Sequence, residues 1–133
     1  MNARIRQLVA GSLFVIVLAA CSPAAPGSPT PPAPAAGLRT APAAPQACMN
    51  ALIGGTLAKN AASGLGIRSA DGQSSAVEWP FRYSAGNELG RLVLLDETGK
   101  AVAREGDEIT VGGGFGNQLW HACGPVTVTR AAG

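Results

Sequence analysis

Residues 47–133 read as an all-β domain, a small antiparallel β-barrel of five to six short strands. Three observations predict it. Short apolar segments alternate with period two, no window carries a 3.6-residue apolar period, and glycine supplies fifteen of these 87 residues, as bends and corners require.

The chain before this domain has two other characters. Arg4 and Arg6 precede an uncharged, mostly apolar run, Leu8 to Ala20. Thirteen residues make about 20 Å of helix, too short for a hydrocarbon core of about 30 Å. A basic start, a short apolar core and small residues at the end describe a secretory signal over 1–20. Residues 21–46 then read as a disordered Pro/Ala-rich linker headed by Cys21. It holds eight of the ten prolines, with Leu38 its only large aliphatic side chain and Arg39 its only charge. Such a segment buries too little apolar surface to offset its ordering entropy. At about 3.1 Å per residue in polyproline II, it would space the domain from whatever holds Cys21.

The strands follow in order. Cys48 to Leu57 is the first, with Gly54-Gly55 marking a bulge or sharp bend. Gly66 to Ser69 is a short second strand. Ala76 to Trp79 alternates, putting Val77 and Trp79 on one inward face. Leu92 to Leu95 is a continuous apolar run. Asp96-Glu97-Thr98-Gly99 then makes a hairpin loop, with Gly99 placed for positive φ. Lys100 to Arg104 returns antiparallel, and Glu105-Gly106-Asp107 turns into Glu108 to Val111. These three strands are expected to form a meander. Val126 and Val128 alternate with threonines in a last strand, and Asn117 to Ala122 is expected to form one helical turn.

Charge narrows the function. The net charge of +2 includes Arg4 and Arg6; residues 47–133 hold seven basic and eight acidic side chains. No basic stripe is present, so no nucleic-acid partner is expected. Cys48 and Cys123 lie near the two ends of the domain. In an exported protein such a pair reads first as a disulfide. The alternative is a metal site of His121, Cys123 and Cys48, but His-x-Cys is not a standard zinc spacing and a fourth ligand is lacking.

Catalytic signals are sparse. His121 is the only histidine, and no Gly-x-Ser-x-Gly elbow supplies a nucleophile. Asp107 and Glu108 are adjacent, so they are not a paired acid and base; Asp96 and Glu97 are loop residues. Gly112-Gly113-Gly114-Phe115-Gly116-Asn117 lacks the Lys-Ser/Thr of a P-loop and reads as a flexible loop. No catalytic residue, metal or cofactor is assigned. Tyr83, Phe115 and Trp120, with Phe81, are expected in loops. There they would either plug a barrel end or offer a contact surface to a glycan or protein of the envelope.

Two resemblances sharpen the reading. Leu18-Ala19-Ala20-Cys21 resembles the lipobox of bacterial lipoproteins, over residues 1–22. It implies a lipid thioether on Cys21, cleavage before it, and anchorage of an extracytoplasmic domain to the cell membrane or outer membrane. Ser22, in place of Asp, is compatible with sorting to an outer membrane. Val102 to Val111 resembles the strand, Gly-Asp, strand pattern of OB-like barrels. The stretch from Trp79-Pro80 through Gly112-Gly113-Gly114 is similar to small uncharacterised domains of bacterial lipoproteins. These resemblances imply an OB-like barrel, with SH3-like or small-sandwich alternatives, and no activity. The function expected is a membrane-anchored, non-catalytic binding or structural module of the cell envelope. A small metal-handling or enzymatic protein using His121 and the cysteines is the alternative.

Overall fold

The computed structural model describes residues 33–35 and 37–133; the expected signal segment, Cys21 and residues 22–32 lie outside them. The described chain is all-β. Its strands are β1 (Ala33–Ala35), β2 (Ala51–Asn60), β3 (Gly64–Arg68), β4 (Ser74–Glu78), β5 (Ser84–Glu88), β6 (Arg91–Leu95), β7 (Ala101–Arg104), β8 (Glu108–Gly116) and β9 (Leu119–Arg130).

Five of them close on themselves, in hydrogen-bonded order β2-β3-β4-β9-β8 and back to β2. All pairs in this ring are antiparallel except β4 with β9, where Val77 faces Trp120 and Glu78 faces His121. One strand must serve two neighbours along its length. β2 pairs with β8 through Thr56 and with β3 from Thr56 onward. Gly55, at φ +155°, sits at that handover, and a Cβ there would drive into the Arg68 carbonyl. The glycine pair read as a bend is therefore where the strand changes partner.

The remaining four strands form a second sheet in the order β1-β5-β6-β7. Here the expected meander is corrected. β6 and β7 pair antiparallel, but β8 leaves to join the ring, and β5 is the other neighbour of β6. The Glu105-Gly106-Asp107 turn shows why. Gly106 N–H donates to the Leu57 carbonyl and Leu57 N–H to the Asp107 carbonyl, each at 2.8 Å, so β2 captures the chain as it leaves β7. Asp107 is buried rather than an exposed turn residue. Its carboxylate accepts from the amides of Arg104 and Ala132, both at 2.8 Å.

One core lies under both sheets. Leu57, Leu65, Ile67, Val77, Trp79, Ile109 and Val111 come from the ring or its edge, and Ala85, Leu94 and Ala103 from the second sheet. Trp79 is inward-facing and fully buried, as its alternation with Val77 predicts.

The ordered body starts upstream of residue 47. The β3–β4 register ends at Gly66 opposite Ala76, and residues 37–41 run as a strap between Ser63, just before β3, and Trp79, just after β4. Arg39 N–H donates to the Ser63 carbonyl at 3.0 Å. Trp79 N–H donates to the Arg39 carbonyl at 2.9 Å, and Ala41 N–H to the Trp79 carbonyl at 2.8 Å. Leu38 packs against the core. The physical reason is local: two strands that part company leave backbone groups unpaired, and the strap satisfies them.

Candidate functional site

The β8–β9 hairpin carries two of the three aromatics read as contact residues. Gly116 faces Leu119, leaving a two-residue loop of Asn117 and Gln118 with φ of 51° and 61°. Two successive positive φ values make a type I′ turn, whose twist suits a hairpin. The expected helical turn over Asn117 to Ala122 is thus a hairpin tip followed by strand. Phe115 and Trp120 lie in strands rather than loops, and they are direct cross-strand partners on one face.

Partnership does not make them equivalent. Trp120 is 6% exposed and belongs to the core, so it is not a contact residue. Phe115, nearer the tip, is 66% exposed. Gly113 lies beneath the Trp120 indole, where a Cβ would stand 2.9 Å from Nε1. That Nε1 is buried and has no hydrogen-bond partner among the described residues.

Tyr83 stands apart, ahead of β5, half-buried against the core. Its phenol is pushed above its ordinary value, chiefly by burial and then by the carboxylates of Asp96 and Glu97 in the β6–β7 loop. With Trp120 buried and Tyr83 half-buried, the three aromatics do not present one exposed surface. Phe81 is at the margin of exposure, with the Arg82 guanidinium 5.9 Å from its ring centroid.

Cys48 and Cys123 are bonded to each other, with Cα atoms 5.5 Å apart and a sequence separation of 75. The bond ties the segment before β2 to β9. Two sulfurs in a disulfide are not thiolates, so neither can serve as a soft metal ligand in this state. Among the described residues, no group of three His, Cys, Asp or Glu side chains is placed to hold an ion.

His121 joins a different cluster. Its Nδ1 lies 2.9 Å from Glu78 Oε1 and its Nε2 lies 3.1 Å from the Gly116 carbonyl. The other carboxylate oxygen of Glu78 is 3.7 Å from Arg39 Nε. The parallel β4–β9 register produces this directly, because Glu78 and His121 are partners in it. The cluster links the strap, β4, β9 and the hairpin tip. It supplies an orienting carboxylate for the histidine, but the ring's second nitrogen faces a backbone carbonyl rather than a hydroxyl or thiol.

Arg39 and Glu78 were not legible as partners in the sequence. The available signal was the odd composition of the spacer: its only charge and only large aliphatic residue are adjacent, and both are used by the fold.

Comparison of the chain with protein-family models, with curated proteins and with solved structures finds no match.

Proposed function

We propose that this chain is a lipid-anchored, extracytoplasmic module of the bacterial cell envelope, with a non-catalytic binding or structural role. The observation that carries the reading is Leu18-Ala19-Ala20-Cys21 at the end of a short apolar segment with a basic start. A thiol in that position is the acceptor for lipid, and a chain with two or more acyl groups stays on a membrane. The bonded Cys48–Cys123 pair supports an oxidising compartment, where such bonds persist.

The closed ring is read as an OB-like barrel. Counted within the ring, its strands stand first, second, third, fifth, fourth, the crossing connection of a five-stranded Greek-key barrel. Three strands of the second sheet, β5, β6 and β7, are then an insertion between the third and fourth ring strands, and β1 joins them from before the first. Fold alone does not give function. Of the three aromatics, Phe115 is the most exposed and so the best placed to touch a glycan or an envelope protein.

The test is Cys21→Ser in the producing bacterium. The wild-type chain should enter the detergent phase and yield an N-terminal peptide beginning at Cys21 with the mass of attached lipid. The variant should do neither. Normal processing and unchanged partitioning of Cys21→Ser would end the lipoprotein reading.

A further inference from the structure

Leu89 occupies the tip of the β5–β6 hairpin at a double disadvantage. Glu88 faces Arg91, so Leu89 and Gly90 form a two-residue loop with φ of 51° and 82°. Asn, Asp or Gly suits the first position of such a loop, because a larger side chain crowds the backbone when φ is positive. The Leu89 side chain is also 99% exposed and returns no packing to the fold. The rest of the tip is conventional: Asn87 Oδ1 accepts from Gly90 N–H at 3.0 Å, and Glu88 is paired with Arg104.

The first described strand ends beside this leucine. β1 pairs with β5 antiparallel, Ala33 opposite Asn87 and Ala35 opposite Ala85. The N-terminal end of β1 is therefore at the Leu89 tip, two residues from Leu89 across the register. Eleven residues, 22–32, lie between Cys21 and Ala33, a span of twelve residue steps. They reach at most about 37 Å at the polyproline rise.

We infer that the Leu89 hairpin tip is a membrane contact, inserting its side chain at the surface of the bilayer that holds the lipid on Cys21. The inference rests on the lipoprotein reading and names the surface that faces the anchor. The short stretch of sequence between Cys21 and a strand end beside the tip limits how far the tip can stand from the lipid, which raises the effective concentration of its apolar side chain at that surface. Leu52, on β2, is 77% exposed and serves as the comparison: it lies on the ring, not on the sheet that holds β1.

The experiment uses the full lipidated chain in vesicles of phosphatidylethanolamine and phosphatidylglycerol with brominated acyl chains. Leu89→Trp and Leu52→Trp are compared, with the emission of buried Trp79 and Trp120 subtracted from wild type. Leu89→Trp should show blue-shifted emission that bromine quenches several-fold more than that of Leu52→Trp. In wild type, vesicles should slow amide exchange at residues 88–91, and Leu89→Asn, which suits the turn, should lose that slowing without a lower Tm. Equal quenching at both positions, or none at Leu89→Trp in a chain whose N-terminal peptide carries lipid, overturns the inference. A blue shift that depends on protein concentration, without quenching, would assign the tip to a second copy instead. An N-terminal peptide without lipid defeats the anchoring reading, and this inference with it.

Discussion

The indole Nε1 of Trp79 donates a 2.9 Å hydrogen bond to the carbonyl of Leu65, inside the core and next to the point where β3 and β4 part. Trp79 thereby shares the Leu65 carbonyl with the Ser63 hydroxyl, which donates to it at 2.8 Å, while the Trp79 backbone holds the strap on the other side. Trp120 is buried in the same core with its Nε1 unpaired among the described residues. Two tryptophans of one core thus stand at opposite ends of hydrogen-bond satisfaction.

That contrast predicts two unequal phenylalanine substitutions. Trp79→Phe removes one of two donors to the Leu65 carbonyl, leaving the Ser63 hydroxyl at 2.8 Å, and costs about 0.5–1.5 kcal/mol for the lost bond beyond the lost ring volume. Trp120→Phe removes a buried N–H that makes no bond, so relief of desolvation offsets much of its lost volume. Urea unfolding should therefore place the midpoint of Trp79→Phe below that of Trp120→Phe. Equal midpoints would mean that the 2.9 Å bond contributes nothing net.

The strap makes a prediction about length. Its three backbone hydrogen bonds and the packing of Leu38 should together contribute on the order of 2–4 kcal/mol. Limited proteolysis should leave a resistant fragment that begins upstream of Leu38, not near Gln46. A chain starting at residue 47 should melt lower than one starting at residue 33. Identical melting of the two would show that the strap is held without stabilising.

Legibility in the sequence followed the range of the interaction. The β6–β7 hairpin was readable because its signals are local: an apolar run, a loop acid and Gly99, which takes φ of 80°. β5, Ser-Ala-Gly-Asn-Glu, has no apolar alternation and exists because β6 pairs along its whole length. β9 was half-hidden because Gly124-Pro125 looks like a break. It is one strand with irregular pairing opposite Val111 to Gly113. The Asn117-Gln118 tip lacks the usual Asn-Gly pair, so no local signal marks the hairpin that puts Phe115 and Trp120 in strands. Even with the strands known, register puts Phe115 opposite Trp120, and alternation does not separate buried Trp120 from exposed Phe115.

Acid should loosen the β6–β7 loop through Asp96. Its Oδ1 accepts from Thr98 Oγ1 at 2.6 Å, Thr98 N–H at 2.9 Å and Lys100 N–H at 3.0 Å. The Thr98 hydroxyl first, then the backbone amides and Lys100 charge, hold this carboxyl below the ordinary value against a smaller opposing effect of burial. A depressed folded value means that the stabilisation is present above the unfolded pKa, about 3.9, and is lost as pH falls through the lower folded value. Asp96→Asn should therefore melt lower than wild type at neutral pH and show a shallower fall in Tm on acidification. Parallel Tm curves between about pH 2 and pH 6 would exclude this carboxylate as a contributor.

The disulfide carries the largest prediction. A bond closing 75 residues restricts the unfolded chain by as much as about 4.5 kcal/mol in the chain-entropy account. A domain of this size has total stability of about 5–10 kcal/mol, so the bond is a large share of it. Its position adds to the effect. Cys48 lies in the exposed stretch between the strap and β2, and the bond fixes that stretch to β9 where the β8–β9 register is irregular. Cys48→Ser and Cys123→Ser should unfold at similar, much lower denaturant concentrations than wild type. The double variant should be no worse than either single, since each removes the same bond. Alkylation of native protein recovered from the envelope should label neither cysteine, and reduction should lower Tm to near that of the variants. If both thiols label in native protein, or if the double variant loses the sum of the two single losses, the stability belongs to the individual cysteine side chains and not to the bond between them.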